Sequence, residues 1–176
     1  MDFFEIIERR YSHKEKFLPD IVPLDHLERI AKAGIAAPSG GNSQCVRLII
    51  LPDRKILQLL CDIAPTDGLM TAPAAIAVLT DSSTQTGQFN FELEDYAAAA
   101  ENMLLAAVAL GYVSLWLDFP WFDENNQKAA LAVLGAPEGY HLHAVLPIGL
   151  PDGTGTRRDK LSFGERVSYG KFGCRN

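Results

Sequence analysis

Arg10-x-Ser12-x-Lys14 places a guanidinium, a hydroxyl and an ammonium on alternate residues just after a short apolar stretch. In an extended chain alternate side chains face the same way, so the three converge on one side. An arginine fork grips a phosphate through two hydrogen bonds, and a lysine adds a compact positive charge. A second cationic pair, Arg157-Arg158, lies near the other end of the sequence. Between them, Pro38-Ser39-Gly40-Gly41-Asn42-Ser43-Gln44 offers side-chain amides and hydroxyls on a backbone that another molecule can approach closely. Together the three pieces point to one small phosphorylated cofactor.

Other chemistries fit less well. His141-Leu142-His143 would put two rings on one face of a strand, so a metal is conceivable. With no carboxylate or third histidine close in sequence, a plain surface or core pair is the better reading. Gly153-Thr154-Gly155-Thr156 lacks a third glycine and follows the last expected strand, which excludes a dinucleotide fingerprint. Ser39-Gly40-Gly41 is not a nucleophile elbow. Asp118 and Asp123 flank Pro120-Trp121-Phe122 as in a strand-to-helix turn. With no spaced acid and base, no side chain is assigned to catalysis and the chemistry falls to a cofactor.

Several elements must position these groups. Phe3, Ile6 and Ile7 predict a short helix over 2–10, and Leu24, Leu27, Ile30, Ala31 and Ile35 a second over 24–37, stopped by Pro38. Apolar runs at 46–51, 74–79, 113–119 and 141–150 read as strands. Asp53 and Asp123 cap expected helices over 54–63 and 124–134. The segment 92–110 is the strongest helix former, apolar almost all round after Tyr96 and stopped by Gly111. Such an order suits a two- or three-layer α+β or α/β domain followed by an irregular basic arm from Pro151. The arm carries Phe163, Val167, Tyr169 and Phe172, which favour burial against a second copy of the chain.

The 176 residues, 48% hydrophobic and 22% charged, suit a single soluble domain. The net charge of −6 divides into −9 over residues 1–150 and +3 over 151–176. An acidic chain with small basic islands is a poor nucleic-acid binder. Cys45, Cys61 and Cys174 are widely spaced and form no C-x-x-C, which argues against disulfides and metal clusters. The start lacks a signal-peptide pattern, and no charge-free run reaches the roughly 20 apolar residues of a membrane span. A cytoplasmic protein is expected.

These residues also resemble the FMN-dependent nitroreductase family, in its compact form. The resemblance is carried by Arg10-x-Ser12-x-Lys14, by Ala37 to Gln44, by Ala99-x-x-Asn102-Met103-Leu104-Leu105-Ala106-Ala107-x-x-Leu110-Gly111, by Gly149-x-Pro151 and by the late basic pair. It implies an α+β, three-layer α-β-α sandwich with a mostly antiparallel central sheet, one domain over 1–176. It implies a homodimer whose C-terminal arms, residues 151–176, wrap the partner, with FMN at the interface. Arg10, Tyr11, Ser12 and Lys14 would meet the cofactor's phosphate, ribityl chain and pyrimidine edge, and Arg157 or Arg158 would complete the phosphate clamp. Pro38, Ser39, Asn42 and Gln44 would reach it from the other subunit, and Leu115 and Trp116 would pass near the ring. The implied activity is ping-pong, two-electron transfer from NADH or NADPH to nitro compounds, quinones or a similar acceptor, with a cation such as Lys14 favouring reduction. Cys45 and Val46 stand where many members carry Pro-Trp, and the segment 81–94 is short for the lid of larger members. A flavin-binding or flavin-sequestering dimer without catalysis is the alternative, and a structural dimer with merely solvated basic islands is a third reading.

Overall fold

A computed structural model describes residues 1–84 and 89–175. The middle of the shortened 81–94 segment, residues 85–88, lies outside them. Four strands, β1 (Val46–Leu51), β2 (Ala74–Asp81), β3 (Val113–Ser114) and β4 (Tyr140–Gly149), form one antiparallel sheet in the order β1-β2-β4-β3. Helices α2 (Leu24–Ile35) and α5 (Glu92–Ala109) cover one face, and α3 (Arg54–Ile63) and α6 (Glu124–Leu134) the other. The molecule is therefore the expected α+β sandwich, with a core cluster on each side of the sheet. β2 is buried through Thr80, which explains its unbroken apolar run.

The caps act where the sequence places them. Asp53 accepts from the Lys55 amide, and Asp123 from those of Asn125 and Asn126. α1 (Phe3–Arg9) starts at Asp2, which accepts from the Glu5 amide. α4 (Asp67–Thr71), a single turn capped by Thr66, was not anticipated.

Two expectations need correction. The strand expected over 113–119 is a ladder only at Val113–Ser114, with an isolated bridge from Leu117 to Val145. Asp118 turns helical, and Phe119–Phe122 forms a 3-10 turn whose buried Trp121 donates its indole N–H to the Leu117 carbonyl at 2.9 Å. The arm is not wholly irregular. Ser162 and Glu165 close a capping box around α7 (Phe163–Arg166).

Three junctions bring the two ends of the chain together. Ser12 makes a parallel bridge with Ser114, and the His13 amide donates to the Ser114 carbonyl at 3.0 Å. Phe17 bridges Pro151, while Leu18 donates to Leu150 and Asp152 to Lys16, both at 2.9 Å. An N-terminal strap, residues 10–18, is thus stitched to the sheet end from which the arm departs.

Candidate functional site

His13 anchors the strap. Its side chain is fully buried, with Nε2 2.9 Å from the Lys16 carbonyl and its ring packed edge-on against Phe17. Because His13 points inward, Ser12 and Lys14 point outward, and Arg10 leaves the end of α1 on the same side. The arm returns over them at Gly155. A Cβ on Gly155 would lie 2.2 Å from the Tyr11 ring, so this close approach needs glycine. Beyond it the Arg157 guanidinium sits 5.6 Å from the centre of the Tyr11 ring.

The result is an open cavity of about 670 Å³, within the range of small-molecule sites. Arg10, Tyr11, Ser12, Lys14, Arg157 and Arg158 all line it. Six residues expected from separate parts of the sequence therefore share one wall. Lys160 adds a fifth cation, and Glu8, Glu15 and Glu101 are the three acids around it. Arg10 Nε lies 3.5 Å from Glu101. Lys14, Arg158 and Lys160 have no ion-pair partner among the described residues, which leaves positive charge free for an anion.

Glu15 and Glu101 were not anticipated, because nothing in their local sequence marks them. Glu15 ties the strap to the arm: its carboxylate accepts from the Lys14 amide at 3.0 Å and the Thr156 amide at 3.4 Å. Amide bonds, chiefly from its own backbone, hold its pKa below the usual carboxylate value. Burial, then the nearby Glu15 charge, pushes the Tyr11 phenol above its ordinary value.

The other expected residues lie elsewhere. Pro38, Ser39, Asn42 and Gln44 do not line this cavity. They sit on a turn fastened to the first turn of α5 by Asp95, which is 3% exposed. Asp95 accepts from the Gly40 amide at 2.7 Å, the Ser43 hydroxyl at 2.9 Å and the Cys45 thiol at 3.3 Å. Burial and this bond push the Cys45 thiol up to about 11, so it is unreactive. Leu115 packs into the core and Trp116 lies edge-on to Tyr96. On this segment, Ser114 Oγ and Trp116 Nε1 are buried without a hydrogen-bond partner among the described residues. The histidine pair gathers around Glu92, with Thr80 donating to its carboxylate at 3.0 Å. No group of three metal-ligating side chains occurs among the described residues.

A four-stranded antiparallel sandwich with a cationic pocket built from its two chain ends defines the class. Residues 7–66 and 62–150 match the sequence profile of the Nitroreductase family. An Archaeoglobus fulgidus protein, provisionally named NADH dehydrogenase/NAD(P)H nitroreductase, is 38% identical over 130 residues, 72% of this chain and 73% of its own. The solved structure of a Parabacteroides distasonis protein, given the same provisional name, superposes with a TM-score of 0.85 at 25% identity, covering 97% of this chain and 98% of that one. A Desulfovibrio desulfuricans protein, provisionally called a nitroreductase and solved in complex with FMN, shares the fold at TM-score 0.83 and 24% identity, over 98% of each chain. The chain belongs to the nitroreductase family and is an oxidoreductase.

Proposed function

We propose that this chain is an FMN-dependent NAD(P)H oxidoreductase, a homodimer that reduces small acceptors such as nitro compounds or quinones in the cytoplasm. The observation that carries this reading is the cavity at the chain ends, where Arg10, Lys14, Arg157, Arg158 and Lys160 outnumber three carboxylates. Its size and charge fit a flavin mononucleotide. Arg10, with Arg157 or Arg158, would hold the phosphate, Ser12 would bond the ribityl chain, and Lys14 would lie at the pyrimidine edge. Pro38, Ser39, Asn42 and Gln44, exposed or half-buried here, would complete the partner's site.

The chemistry such a group supplies when bound is the passage of two electrons from NADH or NADPH to an acceptor that next takes the nicotinamide's place, in ping-pong order. The protein's part is to hold, orient and polarise. The Lys14 ammonium would stabilise negative charge on the edge it faces. No side chain is assigned to proton transfer. The 151–176 arm, exposed at nearly all of its described residues, would wrap the second subunit of this one-domain protein.

The test is an absorption spectrum after incubation with FMN and desalting, followed by anaerobic addition of NADH and of NADPH. Retained yellow colour that bleaches with either donor is expected. Colour that resists both donors would favour a flavin-sequestering dimer, and no colour would remove the cofactor. An Arg10→Ala change should weaken FMN binding by about 1.5–3 kcal/mol, since it removes a charged bond and leaves Glu101 without its cation. Unchanged affinity, measured by flavin fluorescence, would take Arg10 out of the site.

A further inference from the structure

The turn over 39–45 holds an uncommon run of backbone. Gly41, Asn42 and Gln44 have φ of 58°, 57° and 49°, so two side-chain-bearing residues adopt the left-handed region within three positions. Such conformations are costly and persist only when surrounding structure over-determines them. Asn42 and Gln44 are exposed, so no packing around their side chains enforces the shape. The constraint comes from beneath. Asp95 is buried in the first turn of α5 and spends its carboxylate on three donors of this one turn, Gly40 N–H, Ser43 O–H and Cys45 S–H. Phe91 closes the other side, since a Cβ on Gly40 would lie 2.3 Å from its ring. Ser39 Oγ accepts from the Gln44 amide at 3.1 Å and ties the two ends of the turn.

We propose that Asp95 is a positioning residue: it holds the 39–45 turn in its left-handed shape, and through that turn sets how the flavin is seated across the subunit interface. The inference rests on the flavin reading above and adds to it a residue outside the cavity. A carboxylate suits the task because it only accepts, and each of its three partners only has to donate. An amide would turn one donor group toward donors. Asp95→Asn should therefore keep the Gly40 bond, force the Ser43 hydroxyl to turn and accept, and weaken the Cys45 bond, whereas Asp95→Ala loses all three.

The experiment compares wild type, Asp95→Asn, Asp95→Ala and Ser43→Ala as full-length chains. It measures FMN affinity by flavin fluorescence, seating of the ring by visible circular dichroism of the bound flavin, and the unfolding midpoint of the cofactor-free protein. Affinity is expected to fall at least tenfold in Asp95→Ala, with partial rescue in Asp95→Asn. Ser43→Ala, which deletes one half-buried donor, should shift the flavin dichroism while keeping the wild-type midpoint, a change that a purely stabilising carboxylate would not produce. If the Asp95 variants fail to fold, Ser43→Ala decides. Wild-type dichroism and FMN affinity within twofold of wild type in the folded variants would overturn the inference alone. A wild-type chain that takes up no FMN would overturn the flavin reading and this inference with it.

Discussion

His143 is the extra residue of a β-bulge, since β2 pairs Val78 with Ala144 but Leu79 with Leu142. The bulge stacks its ring on Tyr96 at 4.3 Å and brings Nε2 within 2.8 Å of Thr80 Oγ1. Burial pushes the imidazole down to about 4, only partly offset by Glu92, while His141 adds to the lowering. Between about 4 and the ordinary 6.5, the unfolded chain binds a proton that the folded chain refuses. Stability should therefore be fully present above pH 6.5 and decline as pH falls through this window, by up to about 3 kcal/mol from this group. Denaturant titrations at pH 7 and 5 would show the loss in wild type. A His143→Gln chain, still able to donate to the Thr80 hydroxyl but unable to titrate, should lose less. Equal losses would assign the effect to Glu92, His141 or other groups. None of this is legible in His141-Leu142-His143, because a bulge depends on the partner strand's register. By contrast Arg10, Ser12 and Lys14 could be read directly, because alternation along an extended strap is a local rule. Glu15 and Asp95 could not, because each earns its role from amides and hydroxyls supplied by distant or unusual backbone.

Elements with local stop and start signals carry boundaries that composition can set. β1 ends before Pro52, α3 begins at its cap Asp53, and α6 runs between its caps Asp123 and Gly135, as these residues dictate. The 113–119 segment fails that logic: its apolar run continues, but Trp121 needs burial and folds the chain into a 3-10 turn. α4 is too short for any periodicity to show. The junction between strap and sheet is likewise tertiary, and it rests on Gly149 at the end of β4. A Cβ there would lie 2.8 Å from Pro73 Cδ and 3.0 Å from the Phe17 ring. The proline ring cannot yield as a flexible side chain would, so Phe17 or the strand must move. Gly149→Ala is expected to cost about 1–3 kcal/mol of stability, as overpacking does. It should also loosen the strap that carries Ser12 and Lys14, so a urea midpoint and an FMN titration should both fall. A chain with a wild-type midpoint would show that the sheet end has room to spare.

At the scale of the whole molecule, the single chain leaves apolar surface that a folded monomer rarely keeps. Phe3, Phe4 and Ile7 of α1 are exposed, as are Leu161, Phe163, Tyr169 and Phe172 of the arm. α5 is apolar on nearly every side, yet Ala97, Ala98, Leu105 and Ala109 are not fully covered. The arm's contacts with its own chain cluster near its start, through Pro151, Asp152, Gly155, Thr156 and Arg157. Those contacts build the cationic cavity, while residues 161–175 are all exposed. The two parts should therefore separate by truncation. A chain ending at Lys160 keeps every cavity-lining residue but loses Leu161, Phe163, Tyr169 and Phe172. If the arm holds a second subunit, sedimentation should give twice the chain mass for the full protein and mostly single chains for the truncated one. FMN affinity should fall with it, because single chains no longer present Ser39, Asn42 and Gln44 to a neighbour's cavity. A truncated chain that stays dimeric and binds FMN as before would assign the interface to α1 and α5 instead, and leave the arm as a cover for the phosphate end alone.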